Sequence, residues 1–234
     1  VISFPAFPKR CINGGLINLS AMLKVNNIPV PALAETWYCT KLPNSVDPVN
    51  FTFDPTAAAP LGGMFWVTYE ATATNGCKGK DSVLLEVVPP PYVSAGTDKL
   101  FCVNYNGTWN LDTMSVPFGG SWTVISNNHT TYPLDSTPSF GGKYSYNFSP
   151  SNAGDGATHL GATHRLVYTY KDIFPPRCEN YDTVDFVVNP IPHADAGIDT
   201  AVCVGVGQFN LTNALHANSV TGTWYGPGVL SDSV

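Results

Sequence analysis

Six cysteines are the residues of this sequence whose type and spacing most clearly suggest chemistry. Cys77 and Cys178 lie 101 residues apart, and Cys102 and Cys203 lie the same distance apart, so the stretches 77–102 and 178–203 begin and end alike. Cysteines that recur with a repeat in a chain with 21 Gly and 20 Pro favour disulfides, which persist in oxidising compartments. The cysteines therefore predict an exported, extracellular protein.

The repeat also predicts which cysteines pair. Each unit has one cysteine before its first core strand and another before its last strand, so we expect Cys11 to pair with Cys77, and Cys102 with Cys178. Each bridge would stabilise its unit by about 4 kcal/mol on the chain-entropy model. The partner of Cys203 is expected to lie outside this sequence. The bridges would then limit the extension of a load-bearing stalk, or would only stabilise small exported domains.

The sequence lacks the residue patterns that metal binding and nucleophilic catalysis need. Cys39 has no counterpart in the second unit and no second ligand nearby, so we expect a buried thiol or a distant partner. His159 and His164 are five residues apart, a spacing that does not place both on one face of a strand, and we expect surface or turn positions. Neither a phosphate-binding glycine loop nor a Gly-x-Ser-x-Gly elbow is present. We predict no catalytic residue, no metal ligand and no enzymatic activity.

Carboxylates recur with the repeat as well. Asp81 and Asp182 are 101 residues apart, as are Asp98 and Asp199. A catalytic pair is needed once, whereas an aspartate at a turn or strand end is needed in every unit, so structural roles are expected. Calcium at the domain joints beside Asp98 and Asp199 is the only cofactor that we keep as an alternative.

The elements that must position these residues follow the same order in each unit. A Gly-x-apolar-Asn-Leu strand ("GLINL", "GTWNL", "GQFNL") is followed by a strand that ends in Trp37, Trp122 or Trp224. A Thr-Tyr strand comes next, with Thr68 and Tyr69 aligned with 169–170, and then an Asp-Ser/Thr-Val strand that runs into proline. Short apolar stretches rich in Val, Thr and aromatics between turn residues indicate β-sandwiches.

These signals divide the chain into three parts. We predict an all-β fold of tandem Ig-like β-sandwich domains arranged end to end, with repeat 1 at 1–91, repeat 2 at 92–192 and the truncated start of repeat 3 at 193–234. The joints contain Pro89–Pro91 and Pro190 with Pro192, and proline runs space domains semi-rigidly. Neighbouring Ig-like repeats are thus the first partners expected.

Composition excludes two classes of partner. The net charge is −6 and the 11 Lys and Arg are scattered, so no basic stripe is available for nucleic acid. No apolar run is long enough to span a membrane. The recurring tryptophans are expected in the core, whereas Trp66 and Trp109, which do not recur, are where a sugar-stacking site would lie.

The stretch "DAGIDTAVC" with "GQFNL" and "TGTWYGPGV", followed in the other repeats by a Thr-Tyr strand and Cys-x3-Asp-Ser/Thr-Val, resembles the tandem Ig-like repeats of giant Bacteroidota cell-surface adhesins of the SprB-like gliding-motility family. The first repeat departs from this pattern, because "FPAFPKRC" replaces the Ala-Gly-x-Asp lead-in. The resemblance implies type IX secretion, display on the cell surface, and contact with motility and secretion machinery.

The resemblance also implies O-glycosylation at Asp-Ser/Thr motifs. Six residues of the chain stand in such motifs: Ser82, Thr113, Ser136, Thr183, Thr200 and Ser233. We therefore expect a non-catalytic stalk or filament section of a large exported adhesin, which transmits force for cell attachment or gliding while other regions contact surface polysaccharide or substratum. The alternative is a set of accessory Ig-like modules in an exported polysaccharide-binding or polysaccharide-degrading protein. A third reading is a self-assembling coat subunit, which would show large apolar faces.

Overall fold

A computed structural model of the chain describes residues 2–3, 9–22, 24–25, 32–126, 134–138, 143–153, 162–192, 194–211 and 222–230. Its regular structure is almost entirely β. The strands within residues 1–91 are β1 (Ile2–Ser3), β2 (Arg10–Cys11), β3 (Ile17–Asn18), β4 (Lys24–Val25), β5 (Ala32–Cys39), β6 (Val46–Asp47), β7 (Thr52–Phe53), β8 (Gly63–Ala73) and β9 (Lys78–Val88). Those within residues 92–192 are β10 (Lys99–Cys102), β11 (Trp109–Asn110), β12 (Ser121–Ser126), β13 (Leu134–Pro138), β14 (Tyr144–Phe148), β15 (Ala162–Lys171) and β16 (Glu179–Asn189).

Four helical segments lie wholly within the described residues, and each is a single turn. Three are 3₁₀ turns, at Ser20–Met22, Pro55–Ala58 and Leu111–Thr113, and one is an α-helical turn, Pro150–Ala153. Aspartate and asparagine side chains begin two of them, because Asp54 accepts a hydrogen bond from the Thr56 amide (2.9 Å) and Asn110 accepts one from the Asp112 amide (2.9 Å). The strand predicted at "GLINL" is present as β3, and the 3₁₀ turn Ser20–Met22 follows it.

Two sheets form each sandwich, and the strand orders match. The first sandwich has a four-stranded sheet β2-β9-β8-β5 and a three-stranded sheet β3-β7-β6, and the second has β10-β16-β15-β12 and β11-β14-β13. In both, the first strand runs parallel to the last strand, and the other pairings are antiparallel. The short strands β1 and β4 form a separate pair. The predicted all-β, tandem Ig-like architecture is confirmed.

Alternation along the strands explains why each sheet has a core face. In β9 the buried residues are Val83, Leu85 and Val87, and in β16 they are Val184, Phe186 and Val188, at every second position in both strands. Each sandwich has its own core cluster, one around Leu19, Phe53 and Leu85 and the other around Leu111, Phe148 and Phe186. The two units therefore bury their apolar side chains independently.

The Thr-Tyr alignment predicted from the sequence is wrong by two residues. Tyr69 lies opposite Asp81 in the first sandwich, and Tyr168 lies opposite Asp182 in the second, so Tyr168 and not Tyr170 is the counterpart of Tyr69. The cause is the loop before the last strand, because Thr72 pairs with Lys78 whereas Lys171 pairs with Glu179. The second loop is two residues longer, so each residue of β15 lies two positions nearer to its counterpart in β8 than the 101-residue repeat predicts.

The Ala-Gly-x-Asp lead-in is a repeated turn. Gly96 and Gly197 both have φ of +86°, a left-handed conformation that favours glycine. The amide of Gly96 donates to Ser94 Oγ (3.2 Å), and that of Gly197 donates to Asp195 Oδ1 (2.8 Å). The start of the third repeat thus contains the same local turn as the second.

Candidate functional site at the joint between the sandwiches

A disulfide joins the two sandwiches. Cys11, the last residue of β2, is bonded to Cys178, the residue immediately before β16, with a Cα–Cα distance of 5.5 Å and a sequence separation of 167. On the chain-entropy model, a loop of this length restricts the unfolded chain by about 5 kcal/mol of free energy. The bridge therefore ties the end of the first sandwich to the start of the last strand of the second.

The predicted pairs, Cys11 with Cys77 and Cys102 with Cys178, are wrong. Cys11 lies opposite Val88, the last residue of β9, whereas Cys77 precedes the first residue of that 11-residue strand. A strand of that length spans about 35 Å, far beyond the roughly 7 Å that a disulfide allows between Cα atoms.

The second sandwich excludes its predicted pair in the same way. Cys102 lies opposite Asn189 at the end of β16, and Cys178 precedes the start of that strand. The two cysteines of each repeat thus lie at opposite ends of one sandwich. Cys77 and Cys102 are exposed thiols in the structure.

Hydrogen bonds reinforce the joint on both sides of the proline run. Asn13 Nδ2 donates to the backbone carbonyl of Glu179 (2.8 Å), and Asn180 Nδ2 donates to the carbonyl of Pro91 (2.9 Å). Cys178 Sγ lies 3.9 Å from the carbonyl oxygen of Val88. The orientation of the two sandwiches at this joint is thus held by covalent and polar contacts in addition to the prolines.

Three of the four aspartates that recur with the repeat accept hydrogen bonds from backbone amides. Asp182 Oδ2 accepts from the Ala95 amide (2.9 Å), Asp98 Oδ1 accepts from the Asp185 amide (2.9 Å), and Asp81 Oδ1 accepts from the Ser82 amide (2.8 Å). Asp98 and Asp182 thereby fasten the lead-in of the second repeat to its last strand. These are the structural roles that the repeat predicted.

Metal ligands are not gathered at the joint. Over the described ranges, no group of three or more His, Cys, Asp or Glu residues is placed to hold an ion. Asp98 is engaged with a backbone amide, and Asp199 is exposed. Near Asp98, Arg165 forms a bidentate pair with Asp185 at 2.8 Å, and this hydrogen bonding lowers the pKa of Asp185.

Two of the three recurring tryptophans, Trp37 and Trp122, lie in the cores, whereas Trp224 is half-buried and belongs to neither core cluster. Trp37 and Trp122 are each 2% exposed, and each ring centroid is 4.9 Å from the ring of the opposite tyrosine, Tyr69 or Tyr168. Burial and the nearby Glu35 raise the pKa of Tyr69 to about 12. The hydroxyl of Tyr168 accepts a hydrogen bond from the Gly120 amide (2.7 Å) and donates one to the Pro117 carbonyl. These two bonds attach the segment immediately before β12 to the core.

The tryptophans that do not recur differ in exposure. Trp66 is 55% exposed on the outer face of β8. Trp109 is half-buried against the second core, with Phe101 at 5.8 Å and the Lys99 ammonium 5.2 Å from the ring centroid. Only Trp66 of this pair presents an open ring face for a sugar.

The expectation that His164 is a surface or turn residue is wrong. Its ring is fully buried on β15, where Nε2 donates to the carbonyl of Ala153 (2.8 Å) and the ring meets Phe148 edge-on at 5.7 Å. The ring thus satisfies the last carbonyl of the helical turn. His159 lies outside the described residues. Cys39 is buried and is not in a bridge, as one of the two predicted alternatives required.

The candidate glycosylation residues are mostly exposed. Ser82 is half-buried, with its Oγ 3.0 Å from Thr68 Oγ1, and Ser233 lies outside the described residues. Exposed positions are occupied by Thr113, Ser136, Thr183 and Thr200. Cys203, whose partner was expected elsewhere, is an exposed thiol. None of the helical turns within the described ranges has the length and apolar character to cross a membrane.

Comparison with known proteins adds little to the fold. No protein-family model matches the chain, and no curated protein matches it. Among solved structures, the chain is similar to protocadherin gamma C5 EC1-3, with 12% identity, 66% of this chain and 54% of that chain covered and a TM-score of 0.29. Zebrafish RET cadherin-like domains 1 to 4 show 14% identity, 79% and 47% coverage and a TM-score of 0.26.

A Bacteroides ovatus mixed-linkage glucan utilization locus protein, SGBP-B in complex with a mixed-linkage heptasaccharide, shows 14% identity, 78% and 43% coverage and a TM-score of 0.26. The chain spans about half the length, or less, of these three structures. At these TM-scores the structural similarities do not indicate an activity or a ligand. The class is defined by the chain's own strands: it is a tandem of Ig-like β-sandwiches with a disulfide across the joint.

Proposed function

We propose that this chain is a non-catalytic stalk section of an exported surface protein, in which Ig-like sandwiches stand in series and transmit force. The Cys11–Cys178 bridge carries this proposal, because it ties two successive sandwiches across their joint. Tension that enters near Cys11 and leaves after Cys178 passes through the bridge and bypasses the strand hydrogen bonds between them. A disulfide of this kind persists outside the cytoplasm, which supports an extracellular location.

The finer proposal is a section of a Bacteroidota adhesin of the gliding-motility type. The sequence resemblance supports it, with type IX export and motility machinery as the implied partners. Thr113, Ser136 and Thr183 are exposed, so a glycosyltransferase could reach their hydroxyls. We assign no catalytic step to the chain, and we propose that attachment to polysaccharide or substratum occurs through other regions of the parent protein.

Labelling and deletion in the source cells test the stalk role. Antibodies against residues 9–192 should label intact cells without permeabilisation, and an in-frame deletion of the two repeats should reduce attachment or gliding at unchanged growth. A matched strain with Cys39→Ser, which leaves the bridge intact, should behave as wild type. Labelling only after permeabilisation, or free thiols at Cys11 and Cys178 in freshly alkylated protein, would overturn the proposal.

A glycan-binding module is a second candidate, because Trp66 stands on an open apolar patch. Met64 on the same face of β8 is 56% exposed, and Leu84 lies directly opposite Trp66 on β9. Such a patch suits stacking of a sugar ring. Saturable binding of a soluble polysaccharide that is lost in Trp66→Ala and kept in Tyr181→Ala, an exposed aromatic on the other sandwich, would favour this role. Absence of saturable binding would remove it.

A further inference from the structure

Two exposed cysteines occupy positions whose counterparts in the other repeat are bridged. Cys102 is the counterpart of Cys11, and Cys77 is the counterpart of Cys178, 101 residues earlier. Cys11 and Cys178 have each other as partners. The equivalence between the bridged and the exposed cysteines extends to their backbone surroundings.

Cys102 has the backbone setting of Cys11. Each ends the first strand of its sandwich and lies opposite a residue at the end of the last strand, Val88 for Cys11 and Asn189 for Cys102. The next residue donates its amide to that opposite carbonyl at 2.9 Å in both sandwiches. Each cysteine carbonyl then accepts from the amide three residues on, at 3.0 Å in both cases. We call such a cysteine together with its backbone hydrogen bonds a half-joint. The second sandwich therefore ends in the same half-joint as the first.

Cys77 likewise has the backbone setting of Cys178. The carbonyl of Cys77 accepts from the Ala73 amide at 2.8 Å, and the carbonyl of Cys178 accepts from the Asp172 amide at 2.9 Å. Each cysteine immediately precedes the last strand of its sandwich, at the end opposite the first-strand cysteine. The first sandwich therefore begins with the half-joint that the second one uses to receive Cys11.

The polar contact of the joint is repeated in the sequence too. Asn13, two residues after Cys11, donates to the carbonyl of Glu179, the residue after Cys178. Asn104 stands two residues after Cys102, and Lys78 follows Cys77. Because the acceptor in this contact is a backbone carbonyl, Lys78 supplies it as well as glutamate does. The asparagine is thus available beside Cys102, and the backbone carbonyl that would accept from its counterpart is available beside Cys77.

We propose that Cys102 bridges to the cysteine before the last strand of the repeat that follows, and that Cys77 bridges to the first-strand cysteine of the repeat that precedes. In each step two thiols form one S–S bond and lose two protons and two electrons, which a disulfide oxidant of the export compartment accepts by thiol–disulfide exchange. Asn104 is then a positioning residue for the next joint. This deepens the proposed function and rests on it, because it needs repeats in series.

A disulfide map of the full-length protein tests the proposal. The protein is isolated from its source cells, its thiols are blocked with N-ethylmaleimide at lysis, and it is digested without reductant. We expect Cys11 joined to Cys178, and Cys77 and Cys102 each joined to a cysteine of another repeat. Maleimide on Cys77 or Cys102, or a bond between these two or within one repeat, would overturn the proposal. If those thiols are free while intact cells are still labelled, the stalk role survives without the further bridges.

A substitution gives an independent readout on the folded protein. Cys102→Ser should release one new maleimide-reactive thiol per chain, in the peptide before the last strand of the following repeat. The matched control is Cys11→Ser, which should release Cys178. Asn104→Ala should slow re-formation of the Cys102 bridge after mild reduction several-fold and leave the Cys11–Cys178 bridge unaffected. A Cys102→Ser protein that gains no thiol would contradict the inference.

Discussion

Replacing Cys11 with serine should expose both sandwiches to applied tension. The bridge joins residues 167 apart in sequence whose Cα atoms are 5.5 Å apart. When the chain is pulled from its ends, the load crosses the bridge, and the residues between Cys11 and Cys178 cannot be extended however strongly the sandwiches are loaded. Loss of either sulfur returns the load to the peptide chain of both units.

The structure gives the size of the effect. The 167 peptide units between the two cysteines, at about 3.5 Å each when extended, add about 58 nm of contour length. This length should appear in two steps, because each sandwich has its own core. The oxidised wild-type chain should show none of it, since the two attachment points remain 5.5 Å apart.

Single-molecule force spectroscopy on the chain, held by its two termini, measures these steps directly. Oxidised wild type should lack both unfolding steps, and Cys11→Ser or added reductant should restore both. Cys77→Ser is the matched control and should remain locked, because Cys77 is not in the bridge. If Cys11→Ser freed only the first sandwich, or Cys77→Ser freed one, the bridges would lie within the repeats and the reasoning would be refuted.

Three further substitutions test contacts within the second sandwich. Asp182→Ala should lower the free energy of unfolding by about 1–2 kcal/mol in chemical denaturation, because the lead-in turn loses the carboxylate that accepts its amide. Tyr168→Phe should cost about 1–2 kcal/mol, since a half-buried amide and a half-buried carbonyl lose their partner, while Tyr181→Phe at an exposed position should be neutral. Arg165→Met should lower the thermal midpoint more at pH 7 than at pH 2. Asp185, whose pKa the pair holds below its ordinary value of about 3.9, loses this stabilisation as the pH falls through the lowered pKa; equal shifts at both pH values would contradict this.

The two sandwiches could be predicted from the sequence because their signals are local. Alternating apolar residues, turn clusters and the recurring Trp37 and Trp122 each report on a few neighbouring positions, and a strand or turn follows from them. The direction of the disulfide could not be predicted from the 101-residue offset, because pairing within a repeat and pairing between repeats have the same period. The signal that separates them is the length of the last strand, which holds Cys11 and Cys77 apart at its two ends.

Two other differences have equally local causes. The Thr-Tyr alignment failed because the loop before Cys178 has two more residues than the loop before Cys77, and a count of residues does not reveal where an insertion lies. The sequence predicts a surface or turn position for His164 because a histidine without metal partners is usually exposed. Its burial depends on the Ala153 carbonyl, which lies eleven residues earlier in the helical turn between β14 and β15 and is a partner that residue type and spacing do not reveal.

The loop closed by Cys11 and Cys178 also changes what a protease can do to this molecule. A cut at any single peptide bond between those residues leaves both fragments attached to each other through sulfur. The segments that join the strands of both sandwiches lie inside this loop, so a nick in one of them interrupts the backbone without shortening the molecule. A chain that is cut only within this loop keeps its length in surroundings rich in hydrolytic enzymes, and release of what lies beyond needs a cut outside residues 11–178 or reduction of the bridge.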